Sequence, residues 1–346
     1  MKTPKLFCTI AAIALAQGSL FAVNTDPVGF VSVTVPANSD AILAVPLNRV
    51  AEFKGVIQTI SGNTITVSGT PGWVASQFVQ SLPGQPKTYA IQIASGTKEG
   101  LTGKITANGT NSVTVTLDSA ETLAGIGSAD VPVDPDGAGP LTAQADQVDI
   151  IPYWTPASLI TATITNGSQI LLFQSTSAGV NLSSSGSYGY DSGAWVDESS
   201  FESADNSPLP FGQAFIFRNT GAAVTLSMVG SVPMNKHRIV IKTRGAGDQD
   251  VPIGFSSPVS TPVGSIGLSF TEDDQLLVFD NSAPGQNKSA SETLFYTTAD
   301  GWVDGSFNPV GTTYMLQPGR GYIFRKKGTG VAGSFVWTAL QTYLAP

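Results

Sequence analysis

The chain has 346 residues, of which 17 are Lys or Arg, 25 are Asp or Glu and one is His, giving a formal net charge of −8. Charged residues make up 12%, about half of the roughly 25% usual in soluble domains, and the acidic balance excludes the basic footprint that nucleic-acid or anionic-membrane binding needs. A hydrophobic content of 41% over this length builds a sizeable core and excludes wholesale disorder, and the sequence holds no run of about 18 apolar residues that would make a spanning helix.

In chain order, residues 1–22 read as a secretory signal: Lys2 and Lys5 form a short basic start, 6–15 is apolar, and a cut follows Ala22. The one cysteine, Cys8, lies inside that segment, so the mature chain forms no disulfide and its stability rests on packing and hydrogen bonds. From there period-2 alternation dominates. Residues 56–60 and 64–68 flank Ser61-Gly62-Asn63, residues 104–107 and 113–117 flank Asn108-Gly109, and residues 161–165 and 169–173 flank Asn166-Gly167. Asn-Gly between β-prone runs predicts a hairpin, because both residues accept positive φ. Helical spacing is confined to one or two turns over 73–82. Ile170-Leu171-Leu172-Phe173, Phe215-Ile216-Phe217 and Leu276-Leu277-Val278-Phe279 are continuous apolar runs, which predict strands covered on both faces. Segments 125–140, 245–250 and 284–291 carry Gly, Pro and polar residues in abundance and read as loops.

An internal repeat is the strongest pattern in the chain. Gln169-Ile170-Leu171-Leu172-Phe173 returns 106 residues on as Gln275-Leu276-Leu277-Val278-Phe279. Gly193-Ala194-Trp195-Val196-Asp197 returns as Gly301-Trp302-Val303-Asp304, Ser200-Phe201 as Ser306-Phe307, and 209–218 as 316–325. Gly72-Trp73-Val74 with Phe78 and Leu82-Pro83-Gly84 reads as a third, worn copy, and 45–49 against 232–236 as a further echo. A small β unit cannot cover its own apolar face, and stacking copies supplies the cover. The expected fold is all-β: repeated antiparallel sandwich-like or barrel-like units with little helix, divided into an N-terminal β domain at 23–160, a middle repeat at 161–245 and a C-terminal repeat at 246–346.

Asp26-Pro27-Val28-Gly29-Phe30-Val31, Ser95-Gly96-Thr97-Lys98-Glu99-Gly100, Ile150-Ile151-Pro152-Tyr153-Trp154-Thr155 and residues 211–218, in that order and over most of the mature chain, resemble a family of secreted, paralogous β-rich proteins found in Verrucomicrobia and related bacteria. That family has no established activity and no functional residues to carry over. The resemblance implies export and a multi-copy extracellular role, and segment 125–140 is longer than the family pattern at that point.

Catalytic residue types are scarce. His237, between Lys236 and Arg238, sits in a cationic setting that disfavours a base with a raised pKa, and reads as an exposed loop or strand-edge residue. One His and no mature Cys exclude His/Cys zinc sites and Cys–His catalysis. Gly328-Thr329-Gly330-Val331-Ala332-Gly333 has dinucleotide-fingerprint spacing but runs into the strand-like Ser334-Phe335-Val336-Trp337 rather than a helix, so it reads as a hairpin turn. Asp134/Asp136, Glu198/Glu202, Asp248/Asp250 and Glu272/Asp273/Asp274 are the acidic groups from which a glycosidase pair would have to come. Asp130, Asp134 and Asp136 form a candidate Ca²⁺ loop, oxygen-rich but without the spaced D-x-D-x-D-G ligand series; no other cofactor is expected. Trp195 and Trp302, with Tyr190 and Tyr296 just before them, are candidate glycan-stacking residues, and their recurrence at one position in each copy is equally that of core residues.

These observations point to an exported, non-enzymatic structural or adhesive protein of the bacterial cell surface or extracellular matrix. Its partners would be other copies of itself, paired through exposed strand edges, or cell-surface polysaccharide; nucleic acid and a transmembrane segment in the mature chain are not expected. The alternatives are a carbohydrate-binding accessory protein using exposed aromatics and, behind it, a carboxylate-based glycosidase or lyase.

Overall fold

The computed structural model describes residues 26–79, 88–118, 120–128, 145–173, 178–339 and 341–344; the segment read as a signal lies outside them. Two strands come first, β1 (Val28–Val35) and β2 (Ser39–Leu43). Next, β3 (Phe53–Ser61), β4 (Thr64–Val67), β5 (Tyr89–Ile93), β6 (Thr102–Asn108), β7 (Ser112–Thr116) and β8 (Gln147–Pro152) close into an antiparallel barrel in the order β3-β4-β7-β6-β5-β8. The alternation read from the sequence turns Ile57, Ile65, Val67, Val113 and Val115 into its interior, where all are buried. The expected turns at Ser61-Gly62-Asn63 and Asn108-Gly109 join β3 to β4 and β6 to β7.

A single helical turn, α1 (Pro156–Leu159), follows the barrel. Then come β9 (Gln169–Leu172), β10 (Gly186–Asp191), β11 (Ala194–Asp197), β12 (Phe215–Asn219) and β13 (Val224–Ser231). The five-stranded sheet β11-β10-β9-β12-β2 packs on the ribbon β1–β13, with Val35, Ile170, Trp195, Phe217 and Leu226 between them. The last third repeats this plan with β14 (His237–Thr243), β15 (Gln249–Gly254), β16 (Thr261–Pro262), β17 (Gln275–Val278), β18 (Glu292–Thr297), β19 (Gly301–Val303), β20 (Met315–Leu316), β21 (Gly321–Lys326) and β22 (Gly333–Ala339). Its sheet, β19-β18-β17-β21-β15, has the same strand order as the first and covers the ribbon β14–β22 through Ile241, Leu276, Trp302, Phe324 and Trp337. The molecule is thus two matched sandwiches, the first interrupted after β2 by the barrel.

Several expectations change. Residues 28–43 pair with β13 and β12, so the start of the chain belongs with the middle unit, and the last unit begins at β14 rather than at 246. Alternation in 28–35 specifies a strand with one buried face but not which distant strand supplies its hydrogen bonds. Residues 161–165 form no strand, because both sides of β9 are occupied by β10 and β12; the Asn166-Gly167 turn instead hooks onto the next hairpin through Gly167 N–H to Tyr190 O at 2.8 Å. Gly72-Trp73-Val74 is not a third copy: it lies outside any strand, with Trp73 edge-on to Phe53 and Phe78 in the barrel core. Its described part, through residue 79, forms turns rather than helix. Nor do 45–49 and 232–236 occupy counterpart positions; they run side by side, with Asn48 and Ser231 exchanging backbone hydrogen bonds.

The two sandwiches meet back to back through small residues. Ala44 N–H donates to Gly319 O at 3.0 Å, and its counterpart Gly254 N–H donates to Gly212 O at 2.8 Å. A Cβ on Gly254 would collide with that of Ala44, and one on Gly321 would sit 2.5 Å from that of Ala214. Overpacking of this kind typically costs about 1–3 kcal/mol. Gly254→Ala is therefore expected to lose stability in that range in a denaturant titration, whereas Gly186→Ala, at a strand position with open space around it, is expected to lose less than about 1 kcal/mol.

Candidate functional site

A cleft of about 740 Å³ lies between the outward faces of the two five-stranded sheets. Period-2 alternation builds it. In β9 the side chains of Gln169, Leu171 and the following Phe173 line the cleft while Ile170 is fully buried in the sandwich; in β17, Leu277 and the following Phe279 line it while Leu276 and Val278 are buried. Cross-strand register extends these into two apolar rows, Leu171-Ile216-Ile42 and Leu277-Ile323-Pro252. The continuous apolar runs in the sequence are thus strands with a sandwich core on one face and the sister sheet across a cleft on the other.

Two reciprocal clasps hold the halves at this distance. In the first sheet Arg218 lies opposite Asp40, and its Nε and Nη2 donate to the two carboxylate oxygens at 2.8 and 2.9 Å. The loop after β17 reaches over from the other half: Asn287 N–H donates to Asp40 Oδ2 at 2.7 Å, Asn287 Oδ1 accepts from Arg218 at 2.8 Å, and Asp40 N–H donates to Gly285 O at 2.9 Å. The second sheet mirrors this. Arg325 donates to Asp250 at 2.7 and 3.0 Å, Asn181 N–H donates to Asp250 Oδ2 at 2.6 Å, Asn181 Oδ1 accepts from Arg325 at 3.0 Å, and Asp250 N–H donates to Gly179 O at 2.8 Å. Both asparagines have φ of 52°, the left-handed conformation that Asn tolerates better than other side-chain-bearing residues. The two aspartates have 6% of their side chains exposed, so each charge is desolvated and satisfied by a guanidinium and a backbone amide together. Sequence reasoning placed only the second of these loops, at 284–291, and missed the clasps; the signal was Gly-x-Asn at Gly179-Val180-Asn181 and Gly285-Gln286-Asn287, 106 residues apart like the strand repeat.

The edges of both sheets are closed. Asn281 pairs its side-chain amide with Ile42 N and O at 2.9 and 2.8 Å, imitating a neighbouring strand along β2, and β15 carries Pro252 in its middle. Beyond β11 the chain folds back so that Val196 bridges Ser203, and beyond β19 so that Val303 bridges Pro309. Edge-to-edge pairing of these two sheets with another copy is therefore blocked by the devices that blunt natural edges.

Trp195 and Trp302 are each 2% exposed. Trp195 packs edge-on against Tyr190 and Trp302 against Phe270 and Tyr296, so the indoles fill the cores and the half-buried tyrosines line them; neither ring pair presents a face to a sugar. Asp130, Asp134 and Asp136 lie outside the described residues. Four of the acidic groups are engaged locally, Glu198 accepting from Gln169, Asp248 from Gly328 N–H, Glu272 from Thr298 N–H, and Asp274 from Lys326 and Thr271, while Glu202 and Asp273 are exposed. Gly328–Gly333 runs into β22, as expected of a turn.

His237 is not exposed. It opens β14 at 3% exposure, edge-on to Trp337 at 4.4 Å and to Phe255 at 5.4 Å, with Nε2 unpartnered. Burial pushes its pKa down to about 3. Nearby, Arg238 and Lys98 grip Glu121 and seat the barrel on β14; burial raises the Glu121 pKa, and these two cations more than reverse it, holding the carboxyl below its ordinary value. No family model, curated protein or solved structure matches the chain.

Two outcomes follow from this geometry. Ala at 181 or 287 must hold a left-handed φ and loses the arginine bond, so Asn181→Ala and Asn287→Ala are each expected to cost about 1–2 kcal/mol in urea unfolding, and the Gly variants less. His237 stays neutral in the folded chain down to about pH 3, while the unfolded chain takes up its proton near pH 6.5. Its contribution to stability therefore falls with acidification between those values, by about 1.4 kcal/mol per pH unit. His237→Phe is expected to flatten the stability-against-pH curve between pH 6 and 4; an unchanged slope would refute the assignment.

Proposed function

We propose that the chain is an exported, non-enzymatic structural or adhesive protein of the cell surface or extracellular matrix, built by duplication of one β-sandwich module. The signal-like start and the resemblance to secreted paralogous proteins support export. The engagement of Glu198, Asp248, Asp250, Glu272 and Asp274 in structural bonds, and a histidine sealed under Trp337, support a scaffold rather than a catalyst.

The observation that carries the adhesive part is a pair of phenylalanines. Phe201 and Phe307 occupy counterpart turns just beyond β11 and β19, are 83% and 73% exposed, and have φ of 58° and 62°. Asp197 and Asp304 enforce those turns: the Asp197 carboxylate accepts from Ser199 and Ser200 N–H, that of Asp304 from Ser306 and Asn308 N–H, and each main-chain carbonyl accepts the Phe N–H. A bulky residue at this φ is strained by about 1–3 kcal/mol, and a large exposed apolar ring adds nothing to solubility. Two copies of such a feature at the far edges of the sheets suit two-point attachment, in which the second contact is made at high effective concentration.

Fractionation of the source cells is expected to place the protein outside the cytoplasm with an N-terminus near residue 23; an intact N-terminus in the cytoplasm would overturn the reading. Phe201→Asn and Phe307→Asn are each expected to raise stability by about 1 kcal/mol and the thermal midpoint by about 2–4 °C. The labelled double variant should then be retained more weakly than wild type on isolated cell envelopes. Equal retention would remove the adhesive role.

A further inference from the structure

We infer that the cleft between the two sheets is a binding site for a neutral, polyhydroxylated chain: a short stretch of uncharged polysaccharide. The inference rests on the extracellular reading only for the source of such a ligand.

The first argument is charge. Of the ionisable groups lining the cleft, Asp40 is neutralised by Arg218 and Asp250 by Arg325, which leaves one carboxylate, Glu198, and one ammonium, Lys288. A site so balanced offers a polyanion or polycation no electrostatic gain. The second is the kind of polar group present. Ser183, Ser184 and Ser289 stand exposed at the rim and Ser187 lies half-buried between them and Glu198. Hydroxyls donate and accept alike, and Glu198, already accepting both bonds of the Gln169 amide at 2.7 and 3.0 Å, is fixed in place as an acceptor. A sugar edge presents the same mixture.

The third argument is the apolar component. Phe173 and Phe279, half-buried counterparts, flank a floor made by Leu171, Ile216, Leu277 and Ile323. A pyranose ring has a hydroxyl edge and a C–H face, and a cleft with a hydrocarbon floor under a hydroxyl rim matches both. The volume, about 740 Å³, falls within the roughly 300–1,000 Å³ of small-molecule sites. An extended peptide is the competing occupant, but it would enter by adding a strand, and the cleft-side edges β2 and β15 are closed by Asn281 and Pro252.

The test is titration calorimetry of the mature protein against neutral oligosaccharides of several linkages (gluco-, manno- and xylo-), with oligogalacturonate and alginate oligomers as charged controls. At least one neutral series is expected to bind. Phe173→Ala and Phe279→Ala should each weaken it by about tenfold or more, and Ser187→Trp, which fills the cleft, should abolish it. Thermal midpoints near that of wild type confirm that the outward-facing substitutions leave the fold intact. Absence of binding across the neutral panel at millimolar concentration would overturn the inference, as would tighter binding of the charged controls or affinity unchanged by all three variants. Because binding is measured on purified protein and location by fractionation, failure of either leaves the other standing.

Discussion

The arrangement depends on two aspartates whose charges are shared between halves of the molecule. Asp40 and Asp250 are each buried between an arginine of their own sheet and a backbone amide of the other half's loop. A desolvated carboxylate is costly unless every lone pair is engaged, so neither charge is properly satisfied until the two sandwiches are together. The clasps thereby convert a weakly apolar meeting of two sheet faces into a specific one. They also explain the cleft. Small residues, Ala44 against Gly254 and Ala214 against Gly321, bring the sheets into contact at one place, while the loops hold them apart along the rest of β9 and β17.

The inserted barrel is consistent with this logic. It leaves the chain between β2 and β9, two strands of one sheet that β12 separates, so the insertion interrupts no hydrogen-bonded pair. Its own closure removes its edges, and its Glu121 is held by Arg238 of β14. With the barrel closed and the four outer edges of the large sheets blunted, these sheets offer little backbone template for another chain.

Much of the fold was legible in the sequence because it is written in local periodicity. The all-β class, two of three hairpins, the both-face-covered strands and the counterpart tryptophans all follow from alternation, turn chemistry and the 106-residue offset. What failed was partnership. Residues 161–165 alternate like a strand, but β9 had no free edge to give them; residues 28–43 read as the start of an N-terminal unit, but their hydrogen-bond partners lie about 180 residues downstream. His237 was misread for a related reason. Lys236 and Arg238 advertise an exposed position, while strand alternation sends the residue between them inward, under Trp337. The clasps were hidden because each is assembled from three separate stretches, and only the repeated Gly-x-Asn betrays them.

Backbone strain is compensated differently in two pairs of turns of this molecule. Among the non-glycine residues with left-handed φ are two counterpart pairs, Asn181 with Asn287 and Phe201 with Phe307. The asparagines repay the strain at once, since the left-handed turn is what aims N–H and Oδ1 at the two halves of an ion pair. The phenylalanines gain nothing comparable inside the molecule: their amides bond within the turn, but a glycine or asparagine there would do the same with less strain, and the rings face solvent. A feature that costs stability, that has a cheaper substitute and that recurs at both ends of the molecule is what the proposed adhesive role accounts for. In the proposed reading, the exposed rings at the distal turns and the hydroxyl-rimmed cleft near the centre are distinct contact points, held in fixed relation by the same two aspartates.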